Sequence, residues 1–387
     1  MTIPSSDIDF FGDETLQNTE AAYKALRDIG PIVYCEPNDL YVVAHYDAVR
    51  AALRADDILI NGKGVAANEL INSAPPDATL TSDGETHNRR RAILMRPLGP
   101  RAIHDISDRI SGTADQLVQD LKTRKSFCGV KDFASHLPVS IVAELVGLTE
   151  DGRENMLSWA AATFDALGPL NERAQNALPM AGSLLHYTAG LTPDQVRSDG
   201  WAGRILAEAD AGTITPAEAT MMVVDYVAPS LDTTILASAQ LLWSLGTTPG
   251  AFDQLKADPS LVNSAVNEAV RRASPIRAFT RFADTDYVTD YGTIPAGSRV
   301  PVMYASANWD ERHYQNPQDY QIDRNPRDHV GWGHGAHTCA GMHLARAEME
   351  ALCRALIKHA SSIQVAKPER ILNNVLQGFS TFESTID

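Results

Sequence analysis

The sequence predicts a mainly α-helical fold with a small β lobe. Three observations lead there: helical periodicity recurs along most of the chain, one central helix is marked at both ends, and a single hairpin signal lies near the start. The 387 residues are 44% hydrophobic, enough to bury a large core. No Pro/Gly/Ser linker or shift in composition divides them, so residues 1–387 read as one domain.

Near the start, PIVYCE and LYVVAHY flank the turn signal Pro37-Asn38-Asp39 and predict a β-hairpin, after which DAVRAALRA begins helical periodicity. Helical patterns follow over residues 101–123, 138–148, 153–167 and 261–272. The best-marked helix opens at Thr215-Pro216-Ala217-Glu218, a capping box with proline at the first helical position, and is expected to stop at Gly246 ahead of Pro249. At 1.5 Å per residue it would run about 45 Å. Pro229 lies inside it, lacks an N–H and collides with the preceding turn, which predicts a kink; Asp232 and Thr233 fall in the next turn. A last helical run extends over residues 342–359.

Acidic residues number 49 against 33 basic, and the resulting net charge of −16 disfavours nucleic acid and anionic membranes as partners. MTIPSSDIDFFGDETLQNTE has neither a basic start nor an apolar run, so no signal peptide or membrane anchor is expected and the protein reads as cytoplasmic. Cys35, Cys128, Cys339 and Cys353 are scattered without a framework, which argues against disulfides. The sign of the charge reverses at Arg89, Arg90, Arg91, Arg96 and Arg101, a stretch that suits either docking of an acidic partner or a solvated basic face.

The most informative run is GWGHGAHTCAGMHLARAE, residues 331–348. Cys339 sits in a glycine-rich loop opening onto a helix, where the positive end of the dipole favours thiolate and where Gly333, Gly335 and Gly341 leave room for a flat group to approach. The sulfur is expected to be ionised and accessible. Cys339 with His334, His337 and His343 also reads as a zinc cluster, although no distant second ligand pair is visible, and a lone cysteine is often an inert buried one. In its pattern Gly335-x-His337-x-Cys339-x-Gly341 the loop resembles the haem-binding loop of the cytochrome P450 monooxygenases, with Trp332 standing where that family usually has phenylalanine. The run Ala228-Pro229-Ser230-Leu231-Asp232-Thr233-Thr234 resembles the family's oxygen-activation motif and departs from it at Pro229 and Ser230. Taken alone, an Asp-Thr pair near a kink more often satisfies carbonyls freed by that kink. Glu268 and Arg271 match the family's structural Glu-x-x-Arg pair, and NPQDYQIDR resembles the irregular stretch ahead of the cysteine loop.

The resemblance covers nearly the whole chain and implies a triangular helical prism around a buried haem b. Cys339 would ligate the iron, His87, Arg91, Arg281 and His337 would hold the propionates, and Trp332, Gly335 and Gly341 would lie against the cofactor. Asp232 and Thr233 would deliver protons while one atom of dioxygen enters a C–H bond. Electrons derived from NAD(P)H would arrive through a ferredoxin and its reductase. The alternatives are a peroxide-driven peroxygenase and a non-catalytic haem-binding or sensor protein. Aligned with the family's pocket segments, Phe164, Leu167, Ala228, Ile276, Phe279 and Phe379 would wall the substrate site. NGKGVA, FDALGPLNE, ASANWD and NNVLQGF are similar to the branch that oxidises para-substituted benzoates. Lys63 would then take a substrate carboxylate, while Asp225, one face with Ala228 and Asp232 on a continuous helix, is expected to pair with Lys63, face solvent or repel the anion.

Overall fold

The central sheet begins near the start of the chain and is completed only after most of the helices. The computed structural model describes residues 2–387. After α1 (Thr19–Ile29), β1 (Ile32–Cys35) and β2 (Leu40–Val43) form the expected hairpin, with Ile32 opposite Val43 and Cys35 opposite Leu40. Its turn is a single 3₁₀ turn at Glu36–Asn38, and Asp39 takes the left-handed conformation that closes it. The remaining central strands arrive more than 200 residues later, as described below. α2 (Tyr46–Ala52) follows directly.

Helices dominate from there. α3 (Gly84–Leu94) carries the arginine-rich run. The periodic stretch over residues 101–123 divides into a short turn, Pro100–His104, and α4 (Ser107–Lys122). Over residues 138–148 the chain first makes wider π-type turns at Pro138–Val142 and tightens to α-helix only at Ala143–Val146. α5 (Glu150–Ala166) and α6 (Glu172–Ala189) pack against each other.

The central helix differs from its prediction. Its capping box is present, with Thr215 Oγ1 accepting from the Glu218 N–H and the Glu218 carboxylate accepting from the Thr215 N–H, and α7 spans Pro216–Val227. The backbone then leaves the helix altogether across residues 228–231, and α8 (Asp232–Thr247) begins afresh. One kinked helix is therefore two helices with a four-residue break. Pro229 supplies no N–H, and the hydroxyls of Ser230 and Thr233 take up the carbonyls of Val227 and Pro229 at 3.2 and 3.0 Å, so local side chains stabilise the interruption. Gly246 is no stop signal: it lies inside α8 and packs on the strand Ile363–Val365.

α9 (Val262–Ala273) packs on α8 and presents Glu268 and Arg271 to the interior, both fully buried. The two N–H groups of Arg271 donate to the Glu268 carboxylate at 2.7 and 2.8 Å, and Arg324 adds a third charge-assisted bond at 3.0 Å. Arg324 and Arg271 also bind the carbonyls of Gln315, Asn316 and Pro317, which fixes the irregular stretch ahead of the cysteine loop. β3 (Phe279–Ala283) and β4 (Arg299–Val302) then complete the sheet, Val302 lying beside Val43. α10 (Met342–His359) has the predicted bounds and packs on α4, α8 and α9. Among the described residues no helix is long and apolar enough to cross a membrane.

Candidate functional site

The Cys339 loop is a sequence of tight turns anchored to α9 and the sheet. Val330 N–H donates to Asn308 Oδ1, Gly331 lies against Val270 of α9, and Cys339 N–H donates to the Trp332 carbonyl at 2.7 Å. Gly335 has φ +78°, and a Cβ there would stand 2.4 Å from the Leu53 carbonyl oxygen. Its missing side chain thus serves the seating of the loop on the end of α2 rather than, as the sequence implied, the approach to sulfur. Beside Gly341 an added Cβ would meet nothing within 4 Å, so the space at the start of α10 is open.

Cys339 carries accessible surface even though protein surrounds it, as a side chain facing an internal space does; all four cysteines are free. Burial pushes its thiol above the ordinary value, against the Gly341 and Met342 N–H groups and the charges of Arg91 and Arg346. Desolvation thus opposes the helix terminus, and a cation bound at the sulfur would favour the thiolate. Among the described residues no group of three or more His, Cys, Asp and Glu side chains could share a metal ion. Tetrahedral zinc loses its support, and a metal at Cys339 would have one protein ligand.

Beside the sulfur lies a group of cations and imidazoles short of partners. His87 and Arg91 share one face of α3, and the rings of His87 and His337 are 4.3 Å apart. Burial is the main cause holding both histidines below the ordinary pKa, so they are neutral N–H donors at pH 7. Arg91 donates to the Thr338 carbonyl. Arg281, 5% exposed on β3, has only 3.4 Å contacts to the Thr280 carbonyl and the Tyr304 hydroxyl, and the buried His87 Nε2 has no partner. A guanidinium and an imidazole left this way are what a bound dianion would satisfy. The donor set therefore fits haem, with sulfur for the iron and four ring or fork donors for two carboxylates. Asp83, which sequence reasoning missed, positions the set: it accepts from the Asn61 and Gly62 N–H groups and lies 3.9 Å from His337. Arg346 was missed as well; its guanidinium lies 5.7 Å from the centre of the Trp332 ring, and no short motif announced either residue.

At the break between α7 and α8, Asp232 Oδ2 is buried without a partner, and desolvation pushes the carboxyl up to about 7. Thr233 donates its hydroxyl proton to the Pro229 carbonyl, which leaves the oxygen's lone pairs to accept. Asp225 does not pair with Lys63: the Thr79 N–H donates to it at 2.7 Å, and burial raises it to about 6. Nor does it continue one helical face to Asp232, because the backbone break intervenes. Lys63 is exposed and holds no ion pair, while its carbonyl accepts from Arg299.

Phe164, Leu167, Ile276 and Phe279 come together in one apolar cluster with Leu236 of α8, Val375 and Leu376. The last three went unnoticed, because the bridge that pairs Ile276 with Leu376 joins residues 100 apart in sequence. Ala228 and Phe379 belong instead to the main core, where Phe379 packs on Trp243 at 5.3 Å. Phe379 is thus not gathered with the other expected wall residues; its strand carries it past them to the far end of α8. The arginine run is not an open basic face either: Arg89 and Arg90 pair with Glu218, Arg96 pairs with Glu208, and Arg91 turns inward, which leaves Arg101 without an acidic partner.

A family model described as Cytochrome P450 matches residues 191–384. The chain is 33% identical to cytochrome P450 CYP199A2 of Rhodopseudomonas palustris over 98% of its own length and 93% of the relative's. It is 26% identical to a Mycobacterium tuberculosis protein named beta-dihydromenaquinone-9 omega-hydroxylase, over 94% and 75%. It also superposes on the solved structure of Mycobacterium marinum cytochrome P450 CYP268A2 in complex with pseudoionone with a TM-score of 0.86 at 25% identity, covering 99% of each chain.

Proposed function

Because this chain belongs to the cytochrome P450 family of haem-dependent monooxygenases, we propose that residues 1–387 work as a single domain that oxidises a small aromatic acid, with electrons drawn from NAD(P)H through a ferredoxin and its reductase. Cys339 would hold the iron, and His87, Arg91, Arg281 and His337 the propionates, with Trp332, Gly335 and Gly341 shaping the loop beneath. When bound, the haem supplies dioxygen activation and insertion of one oxygen atom into a C–H bond, the other leaving as water.

The observation that carries this reading is the unpartnered carboxyl of Asp232. A buried group that titrates near 7 both takes and gives a proton at neutral pH, which suits oxygen reduction by an external donor, whose net uptake of two protons per turnover a peroxide-driven reaction lacks. Thr233 is the positioning partner: its oxygen accepts a hydrogen bond from water while its proton stays on the Pro229 carbonyl. The apolar cluster of Phe164, Leu167, Leu236, Ile276 and Phe279 favours a compact aromatic ring. The uncommitted ammonium of Lys63 favours an anionic end, so oxidation falls on the substituent opposite the carboxylate, as O-demethylation or hydroxylation.

The test is turnover of 4-methoxybenzoate with a ferredoxin and reductase under labelled dioxygen, with titration of the acid and its methyl ester in wild type and Lys63→Met. The expected result is formaldehyde that carries the label when trapped before exchange with water, beside unlabelled 4-hydroxybenzoate, and weaker binding of the acid alone in the variant. No turnover with the donor system but product with hydrogen peroxide would indicate a peroxygenase. Haem binding with neither would indicate a sensor. Tighter wild-type binding of the ester, with no loss of acid affinity in Lys63→Met, would overturn the assignment of an aromatic acid.

A further inference from the structure

At the far end of α8 from Asp232 a cavity of about 260 Å³ lies between that helix, the end of α9 and the segment around Phe379. Trp243 on α8 is 11 residues beyond Asp232, roughly 16 Å along the axis, so this cavity is separate from the surroundings of Asp232. Its apolar walls are Trp243, Trp309 and Phe379, with the Trp243 and Phe379 rings 5.3 Å apart. Its charged walls are Arg272, Lys367 and Arg370 against a single acid, Glu20.

The imbalance is local and runs against the chain's net charge of −16. Arg370 reaches Glu20 at 3.7 Å, while Arg272 and Lys367 have no carboxylate within 4.0 Å among the described residues. Arg272 is the informative one. It is partly buried and donates no hydrogen bond among the described residues, and burial and the neighbouring Arg271 charge disfavour its cation against the opposing charges of Glu20 and Glu268. Its neighbour Arg271, by contrast, is engaged by Glu268 and two carbonyls. A half-desolvated guanidinium left without an acceptor is unfavourable, and a carboxylate is its best complement in charge and in fork geometry. Three aromatic faces around the same space select a ligand with a flat apolar body, and the volume lies just below the range of about 300–1,000 Å³ for drug-sized ligands.

We propose that this cavity is a second binding site of the chain, for a small aromatic monocarboxylate held by Arg272 with Lys367 at the rim and its ring against Trp243, Trp309 and Phe379. The proposal does not rest on the substrate assigned to the Cys339 site. The experiment is equilibrium dialysis of the haem-loaded protein with labelled benzoate while a saturating aryl imidazole occupies the iron site. One equivalent of benzoate should remain bound. Arg272→Gln should weaken that binding at least tenfold and Lys367→Gln, a change at an exposed residue that leaves the core intact, severalfold. Acetate should fail to compete. Absence of benzoate binding under these conditions, unchanged affinity in both variants, or competition by acetate equal to that by benzoate would each overturn the proposal. Loss of binding at the iron site with retention here would count against the proposed substrate alone.

Discussion

Glu268 and Asp232 are buried carboxylates on helices that pack against each other, and their surroundings are opposite. Glu268 accepts four hydrogen bonds, two from Arg271, one from Arg324 and one from the Gln321 N–H. Asp232 keeps one buried oxygen with none. The first arrangement spends its polar capacity on holding the chain ahead of the Cys339 loop; the second leaves a carboxyl free to exchange a proton. Saturation separates scaffold from site elsewhere too, since Arg89 and Arg90 are consumed by Glu218 while His87 Nε2 and Arg281 stay short of partners next to the cysteine.

The largest effect expected from this contrast is on the saturated side. Arg271→Ala leaves the Glu268 charge buried and underpaired and should lower the unfolding free energy by about 3–5 kcal/mol, read by urea denaturation. A loss below about 1 kcal/mol would remove the distinction between the two carboxylates. Next in size is Gly335→Ala, which forces a side chain into a left-handed backbone and onto the Leu53 carbonyl. Strain of about 1–3 kcal/mol, before the clash is relieved, should appear in thermal melts together with weaker haem retention. Gly341→Ala, which has ordinary φ and open space at its Cβ, should be the milder change. The reverse order would mean that the loop is not seated through Gly335.

Glu348 sharpens the comparison on the unsaturated side. Both of its oxygens are buried without partners on α10, and desolvation raises its carboxyl from 4.5 to about 8. The folded protein keeps it neutral up to about pH 8, whereas the unfolded chain ionises it above about 4.5, so its contribution to stability falls as pH rises through that window and levels off above it. Glu348→Gln should therefore gain stability over wild type progressively from pH 5 to pH 8.5. Parallel unfolding profiles would show that an unseen partner holds the charge. Smallest in stability is Thr233→Ala, which removes one hydrogen bond to the Pro229 carbonyl, about 0.5–1.5 kcal/mol. Its expected signature is chemical: more hydrogen peroxide and less product per NAD(P)H. An unchanged yield would leave Thr233 with its carbonyl-satisfying role only.

Local signals carried much of the fold. The hairpin around Pro37–Asp39, the capping box at Thr215 and the bounds of α10 follow from residues within a few positions of each other, and the structure matches them. The break at residues 228–231 exceeded the predicted kink because Ser230 and Thr233 both supply hydroxyls to freed carbonyls, an effect that depends on rotamers rather than spacing. What sequence could not show was pairing over distance. Glu218 lies 129 residues from Arg89, Thr79 lies 146 from Asp225, and Ile276 meets Leu376, so the apparent basic face, the Lys63–Asp225 pair and the full apolar cluster were out of reach. The cysteine loop was legible because Cys339 and His337 lie two residues apart in one motif, as His87 and Arg91 lie one helical turn apart; Asp83 and Arg346, beside His337 and Trp332, belong to no such pattern.

The central claim is that Cys339 is the sulfur ligand of the haem iron. The direct measurement is the absorption spectrum of the reduced, carbon-monoxide-bound protein, wild type against Cys339→Ser, with iron and zinc analysis of the same samples. The account predicts iron in the wild type and a carbon monoxide band that moves when sulfur is replaced by oxygen. Identical bands in the two proteins, or zinc in place of iron, would contradict it.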